Sequence, residues 1–510
     1  MPIINAIASW WMKKRMHQIE LFMKYPNDVQ NECLRKLISS AKDTEWGISH
    51  DYKNINNYAQ FKFNVGVQDY ETLKPFIDRV RRGEQNVLWN TEIKWFAKSS
   101  GTTNDKSKFI PVSKESLDDC HYNGGRDMLA IYCTLHPDTQ LFTGKNLGLA
   151  GSLTTDNFGS YESQNGDLSA IVMNNLPMWA EFFRSPDLSI ALMDKWDDKI
   201  EKLSQAIINE NLVSLAGVPS WMLLIMKNVL RITGKKSISE IWPNLEVYFH
   251  GGVNFHPYKE QFKAVFDKST INYLELYNAS EGFFGIQDQL DSSELLLMLD
   301  YGIYYEFMPI SKLGLSDSEP IPLEEVNLDT TYGLVISTNA GLWRYMLGDT
   351  VKFTSLNPFR FKITGRTKHF MNAFGEEIIV DNADKALSIA CEKSGAQIKE
   401  YTAAPVYMCG NENGAHEWLI EFEIQPSSLE YFTEMLDNAL KSINSDYEAK
   451  RYQNMILKLP LVKALPKDTF YKWFELKHKL GGQNKVPRLS NERKLAFRDK
   501  VGEDIRWHIL

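Results

Sequence analysis

A run of hydroxyl side chains bracketed by lysines stands out: Lys98-Ser99-Ser100-Gly101-Thr102-Thr103-Asn104-Asp105-Lys106-Ser107-Lys108. Hydroxyl donors, backbone N–H groups freed by a glycine, and nearby ammonium groups are what a polyphosphate needs. Residues 93–97 alternate as a strand does, and residues 109–112 read as a second short strand. Ser113 is placed to cap a helix running toward Thr134, with Glu115 in its first turn. The run is therefore expected to link strand to strand. That separates it from the Walker A loop, G-x-x-x-x-G-K-[ST], because no second glycine precedes Lys106 and no helix follows directly. The same residues also suit a polar hairpin without a ligand, since Ser, Thr and Gly are ordinary turn residues.

Further along come four segments that could complete such a site. Tyr277-Asn278-Ala279-Ser280-Glu281-Gly282 follows a strand-like run at 271–276, and the C-terminal edge of a strand is where ligands sit in open α/β sheets. Glu281 is a candidate for Mg²⁺, which favours one or two carboxylates plus phosphate oxygens; it also suits a polar turn. In Trp343-Arg344-Tyr345-Met346-Leu347-Gly348-Asp349-Thr350, Gly348 permits close approach and Asp349 could accept both hydroxyls of a ribose, or simply make a turn. Residues 365–375 combine two glycines with a basic cluster, which fits a hinge carrying a phosphate or ribose contact, or a charged linker. Gly481-Gly482 precede Lys485 on a loop from which an ammonium could be delivered to a distant phosphate.

The order and spacing of these segments resemble the adenylate-forming enzymes, and most closely the auxin-response (Gretchen Hagen) family of acyl acid amido synthetases. The resemblance covers essentially the whole chain. It implies an ATP-dependent ligase that adenylates a carboxylic acid and passes the acyl group to an amine, an amino acid by analogy. On this resemblance Ser99, Ser100, Gly101, Thr102 and Thr103 would hold the β- and γ-phosphates. Gly251 and Gly252 would let the backbone pass close to adenine, and Tyr277 would stack on it. Ser280 would touch the α-phosphate or the acid, and Glu281 would hold Mg²⁺. Asp349 and Arg366 would fix the ribose, and Lys485 would neutralise charge on the α-phosphate and pyrophosphate. By the same analogy Tyr122, Arg126, Met128, Met173, Trp179, Val218, Trp221, Tyr332 and Trp343 would face the acid. Two departures stand out: Asn104-Asp105 replace the small residues common after the first motif, and Met346 stands where many relatives have arginine. No general base is named by the residues; His121, His250 and His256 lie near motif segments. The acyl adenylate could also pass to coenzyme A as a thioester, or the fold could serve a non-catalytic nucleotide binder. Retention of Ser100, Glu281, Asp349 and Lys485 together argues against the last.

The elements that must position these groups read as α/β. Apolar strand-like runs recur at 147–150, 212–216, 245–249, 271–276 and 333–337, with helical stretches at 179–184 and 220–231, which argues for sheets covered by helices. After 380 the pattern becomes helix (383–394), strands (402–409, 417–424), helix (428–443), strand (455–459), helix (469–476), with a hairpin turn at 411–414. We therefore expect a large N-terminal domain of adenylate-forming type over 1–380, with helix-covered sheets, and a small mobile α+β domain over 381–510 carrying Lys485.

Composition sets the outer bounds. The 510 residues are 43% hydrophobic and 12% aromatic, ample for a large core. A net charge of −8 without a basic block disfavours nucleic acid as a partner. Five scattered cysteines without a C-x-x-C pair fit free thiols in a reducing compartment, and hence a cytoplasmic location. No apolar run approaches the ~18 residues of a membrane span. Lys13-Lys14-Arg15 follow the first apolar residues instead of preceding them, so the N-terminal segment reads as an amphipathic helix lying on the protein.

Overall fold

A computed structural model describes residues 5, 7, 10, 12–99, 108–252, 255, 258–266, 271–313, 315, 318–328, 330–366, 370–376, 378–408, 413–454, 456–476 and 488–490. The first strands are β1 (Trp95–Ser99), β2 (Lys108–Val112), β3 (Lys145–Gly148), β4 (Leu153–Phe158) and β5 (Tyr161–Gly166). Four of them form a small sheet of order β2-β1-β5-β4. The main sheet adds β6 (Arg184–Ser185), β7 (Leu212–Gly217), β8 (Val247–Gly251), β9 (Asn272–Ala279), β10 (Gly282–Ile286), β11 (Leu295–Leu297) and β12 (Ile303–Pro309). It is completed by β13 (Ile321–Pro322), β14 (Thr331–Thr338), β15 (Tyr345–Leu356) and β16 (Phe359–Arg366), in the order β13-β12-β14-β15-β16-β11-β10-β9-β8-β7-β3-β6.

Two kinds of pairing meet in this sheet. From β6 to β9 every pair is parallel. Here the strands read as short apolar runs such as LVSLAG, and the Trp196–Ile207 and Pro219–Thr233 helices supply the crossovers that parallel pairing demands. From β9 to β13 every pair is antiparallel. β9 is the seam: Gly251↔Leu276 on its parallel side, Ile286↔Leu276 on its antiparallel side. All seven residues of β12 are buried, and Phe307, Tyr332 and Phe353 meet edge to face on this side.

The expected apolar runs fall on β3, β7, β8, β9 and β14. After a short β17 (Phe370–Met371) and β18 (Ile378–Ile379) comes the Val380–Ser394 helix. β19 (Gln397–Val406) and β20 (Ala415–Ile424) then pair antiparallel, as the expected hairpin requires; residues 409–412 between them lie outside the described residues. The Leu429–Ile443 and Thr469–Leu476 helices also match expectation. The last strand does not. It is β21 (Leu461–Leu465), parallel to β20, and not 455–459. Pro460 has no N–H to give a ladder, so the strand begins after it. The chain before it makes only an irregular bridge, with Lys458 N donating to the Gly414 carbonyl at 2.7 Å.

One apolar cluster fills the interior between the N-terminal helices and the antiparallel strands. A second is shared across the domain boundary: Leu215, Leu223, Phe262 and Phe374 belong to the same contiguous cluster as Leu387, Trp418 and Leu440. The Met16–Lys24 helix buries Ile19 and Phe22, as an amphipathic helix lying on the protein should. No helix among the described residues is long and apolar enough to cross a membrane. Cys33, Cys120 and Cys391 are free thiols; Cys409 lies outside the described residues.

Candidate active site

The hydroxyl run connects two antiparallel strands, as expected and unlike a Walker A loop. The β1–β2 ladder closes with Ser99↔Lys108. Ser100, Gly101, Thr102, Thr103, Asn104 and Asp105 lie outside the described residues. The base of the hairpin is anchored. Phe109 N donates to the Tyr70 hydroxyl at 2.8 Å, and Lys108 Nζ donates to the Tyr345 hydroxyl at 3.2 Å. Tyr345 opens β15, so the base of the first motif is tied to the strand that carries Asp349.

Asp349 accepts a hydrogen bond from the Tyr277 hydroxyl at 2.6 Å, and the two residues are 8% and 5% exposed. The Tyr277 ring packs against Phe284 and Phe361. The expected ribose acid and the expected adenine tyrosine are thus one bonded pair spanning β9 and β15. Asp349 is also the register partner of Arg366 on β16, which sets the third motif beside the start of the hinge segment. Gly251 lies so close to β9 that a Cβ there would come within 2.5 Å of the Leu276 carbonyl oxygen, and Gly252 adopts φ 81° in the left-handed region. Both positions call for glycine. They leave bare backbone at the strand edge next to Tyr277.

Ser280 and Glu281 form the half-buried turn from β9 to β10. The Ser113-capped helix docks on this turn. Phe283 N donates to Cys120 Sγ at 3.1 Å, and Gly124 sits so near the Phe283 ring that a Cβ would come within 2.4 Å. Ser113 caps as expected, its Oγ accepting from Ser116 N at 2.9 Å. Ser116–Tyr122 winds as a wider π-helix before Asn123–Leu135 continues as an α-helix, a feature common at functional sites.

Of the expected acyl-pocket residues, three fall along one edge. The Tyr122 hydroxyl donates to the Val172 carbonyl at 3.4 Å; Met173 Cε stands 3.4 Å from where a Gly148 Cβ would be; Val218 Cγ2 stands 3.2 Å from a Gly252 Cβ. This row runs past the ends of β3, β7 and β8 to Gly251–Gly252. Trp221 is half-buried with Lys450 Nζ 3.6 Å from its ring centroid, a contact made by the small domain. Arg126 is part-exposed, with Nε 3.8 Å from Asp127 Oδ1. The structure assigns Tyr332 and Trp343 to the core instead. The Trp343 indole donates to the Leu88 carbonyl at 3.1 Å between Tyr52 and Trp89. The Tyr332 hydroxyl accepts from Asn327 N at 2.8 Å. Aromatic character drew both toward the pocket in the sequence; packing claims them.

Among the base candidates, burial pushes His121 down to about 4 and His250 to about 3, so both are neutral and weakly basic at physiological pH. His256 and Lys485 lie outside the described residues.

Three residues escaped the sequence reading. Burial raises the Glu275 carboxyl to about 7, two residues before Tyr277 on β9. Lys199, pushed down to about 8 by burial, donates to the Ala150 and Gly151 carbonyls at 2.6 and 2.9 Å and pins the loop after β3. The signal was present: Lys199, Leu203 and Ile207 share the buried face of one helix. Arg344 is fully buried at φ 42° and bonds Glu306 Oε1 at 2.8 Å together with the Lys62 and Val65 carbonyls. Glu306 within the apolar IYYEFMP strand was its signal, because such a charge must be paired.

Three family models tile the chain: the GH3 family N-terminal domain over 15–271, the central domain over 296–366 and the C-terminal domain over 381–494. The chain belongs to the GH3 family. Among similar proteins, the Arabidopsis thaliana indole-3-acetic acid-amido synthetase GH3.3 is 23% identical over 93% of this chain and 91% of its own length. The 4-substituted benzoates-glutamate ligase GH3.12 of the same plant is 22% identical over 90% of this chain and 92% of its own. The solved AtGH3.15 acyl acid amido synthetase in complex with 2,4-DB matches with TM-score 0.63 and 17% identity, covering 95% of each chain. A 2-hydroxyisobutyryl-CoA ligase solved with 2-HIB-AMP and CoA matches with TM-score 0.54 and 14% identity over 92% and 90%. At these identities the two structural matches establish a shared fold: this GH3 protein has the large mixed sheet and smaller C-terminal unit of those two solved ligases.

Proposed function

We infer that this GH3 protein is an ATP-dependent acyl acid amido synthetase. The observation that carries the reading is the Tyr277–Asp349 pair, buried beside the bare Gly251–Gly252 edge and joined through Tyr345 to the hydroxyl hairpin. A carboxylate is a poor electrophile because its oxygen does not leave. Attack of the acid oxygen on the α-phosphorus of ATP expels pyrophosphate and gives an acyl adenylate. A neutral amine then attacks the carbonyl carbon; AMP leaves with the C–O bonding electrons, and the amine loses a proton. The first step brings an anion onto a polyanion, so positioning and positive charge carry it.

The parts follow from their places. Asp349, aimed by Tyr277, receives the ribose hydroxyls. The hydroxyl run and Lys485 meet the phosphates, and Arg366 stands ready on the strand next to Asp349. Glu281 supports Mg²⁺: no group of three or more metal-ligating side chains occurs among the described residues, and one carboxylate completed by phosphate oxygens is the arrangement Mg²⁺ tolerates. Tyr122, Met173 and Val218 wall the acyl group, and an amino acid serves as the amine. A boundary at 380/381 lets the small domain turn between the two half-reactions.

The deciding experiment offers a panel of acids with amino acids and coenzyme A together and weighs the products. An amide is expected; a thioester with no amide overturns the reading. Scattering profiles with ATP and with a non-hydrolysable acyl-AMP analogue are expected to differ, and one unchanged profile removes the domain rotation.

A further inference from the structure

Strands β1 and β5 run parallel and in register, Phe96 pairing with Asn165 and Ala97 with Gly166. One step further the register sets Lys98 beside Asp167. Phe96 and Asn165 are buried, whereas Lys98 and Asp167, next along the same face, are exposed. An ammonium and a carboxylate thus leave the core together, immediately before Ser99 and the hydroxyl run.

Asp167 is held by the backbone around it. It is extended, at φ −62° and ψ 141°, and its Oδ2 accepts from Ser152 N at 3.0 Å. Gly151 makes room for the carboxyl: a Cβ there would come within 1.5 Å of Oδ2. Lys199 fixes the same loop through the Ala150 and Gly151 carbonyls. Asp167 also leads into the Leu168–Asn174 helix, which carries Val172 and Met173 to the acyl row.

The two charges are not spent on each other. Among the described residues the Lys98 ammonium makes no hydrogen bond or ion pair, and Asp167 Oδ1 accepts no hydrogen bond. The surrounding protein nevertheless raises the Asp167 carboxyl above the usual carboxylate range. It outweighs the Ser152 N–H, Lys199, Lys98 and Lys450 of the small domain, which all act the other way. The carboxylate is therefore short of compensation, and an arriving ammonium supplies it. A divalent metal is a poor occupant, since no group of three or more ligating side chains occurs among the described residues. Unlike charges on neighbouring strands complement a molecule that carries both.

We propose that Lys98 and Asp167 form the amine subsite of the ligase and receive an amino acid as its zwitterion, with the α-ammonium on Asp167 and the α-carboxylate on Lys98. The assignment rests on the amido synthetase reading and adds where the acceptor binds. It puts the nitrogen at the join between the hydroxyl run and the helix that carries Met173. The full chain is assayed with ATP and the acid that reacts best in the panel. The acceptor is either the best amino acid or hydroxylamine, which is uncharged near neutral pH and has no carboxylate. Asp167→Asn, whose amide oxygen can still accept from Ser152 N, and Lys98→Met are each expected to raise the KM for the amino acid about tenfold or more. The KM for hydroxylamine and the melting midpoint are expected to stay near wild type. Two variants are used so that one that fails to fold leaves the other to decide. A role in folding or on the phosphates of ATP lowers both reactions alike. That result, or an unchanged amino acid KM in both variants, overturns the subsite and leaves the ligase reading in place. No hydroxamate from the wild-type protein with any acid overturns the ligase reading, and the subsite with it.

Discussion

The parallel and antiparallel halves of the main sheet are built by different means. In the parallel half, short apolar strands are held by helices on their faces, and charges are few and local, such as Lys199 on two carbonyls. The antiparallel half is an aromatic interior crossed by a buried ion pair, Glu306–Arg344. The candidate site takes one part from each: Gly251 and Gly252 come from the parallel side, Asp349 from the antiparallel side, and Tyr277 on the seam strand binds across. A candidate site so placed gains bare backbone from one half and a rigidly held acid from the other.

The contrast can be broken most severely on the antiparallel side. Glu306→Gln leaves the Arg344 charge buried and is expected to cost about 3–5 kcal/mol, read as a lowered urea midpoint; replacing both residues with methionine is expected to be milder. Next is a change that should affect chemistry without touching either half's stability. Lys485→Ala is expected to slow pyrophosphate formation by roughly 10²–10³ with an unshifted melting midpoint. Near-wild-type pyrophosphate release removes Lys485 from the site. At the seam, Tyr277→Phe keeps the ring and loses one charge-assisted hydrogen bond. It should lower kcat/KM for ATP by roughly tenfold; an unchanged value means that Asp349 is held by other contacts. The smallest effect tests the parallel-side face of β9 through pH. Folded Glu275 keeps its proton up to about 7, whereas an ordinary glutamate carboxyl loses it near 4.5. Between these values the folded chain binds more protons than the unfolded chain, so stability falls as pH rises through the window. Glu275→Gln is expected to flatten that slope; parallel pH profiles for the two proteins remove burial as the cause.

Legibility in the sequence followed the same division. Parallel strands and their helices announce themselves as apolar runs, and β3, β7, β8 and β9 fall on such runs, whereas the two-residue β6 is too short to show. Most antiparallel strands from 282 to 366 were not separated, because β10, β11 and β12 are buried throughout and lose the alternation that marks a half-solvated strand. Asp349 and Tyr277 were legible as motif members, but their bond was not, since 72 residues separate them. Trp343 and Tyr332 were misplaced because a large aromatic reads alike in a core and in a pocket. Arg344 passed as a neighbour of Asp349, although the chain around it is organised to bury it.

The apolar cluster shared by the large domain and the small one bears on how the chain can be cut. Leu387, Trp418 and Leu440 lie in one cluster with Leu223, Phe262 and Phe374. Ending an expression fragment at residue 380 would strip that face bare and leave a sticky surface in place of a finished one. The apolar face the two units share argues for producing them as one chain.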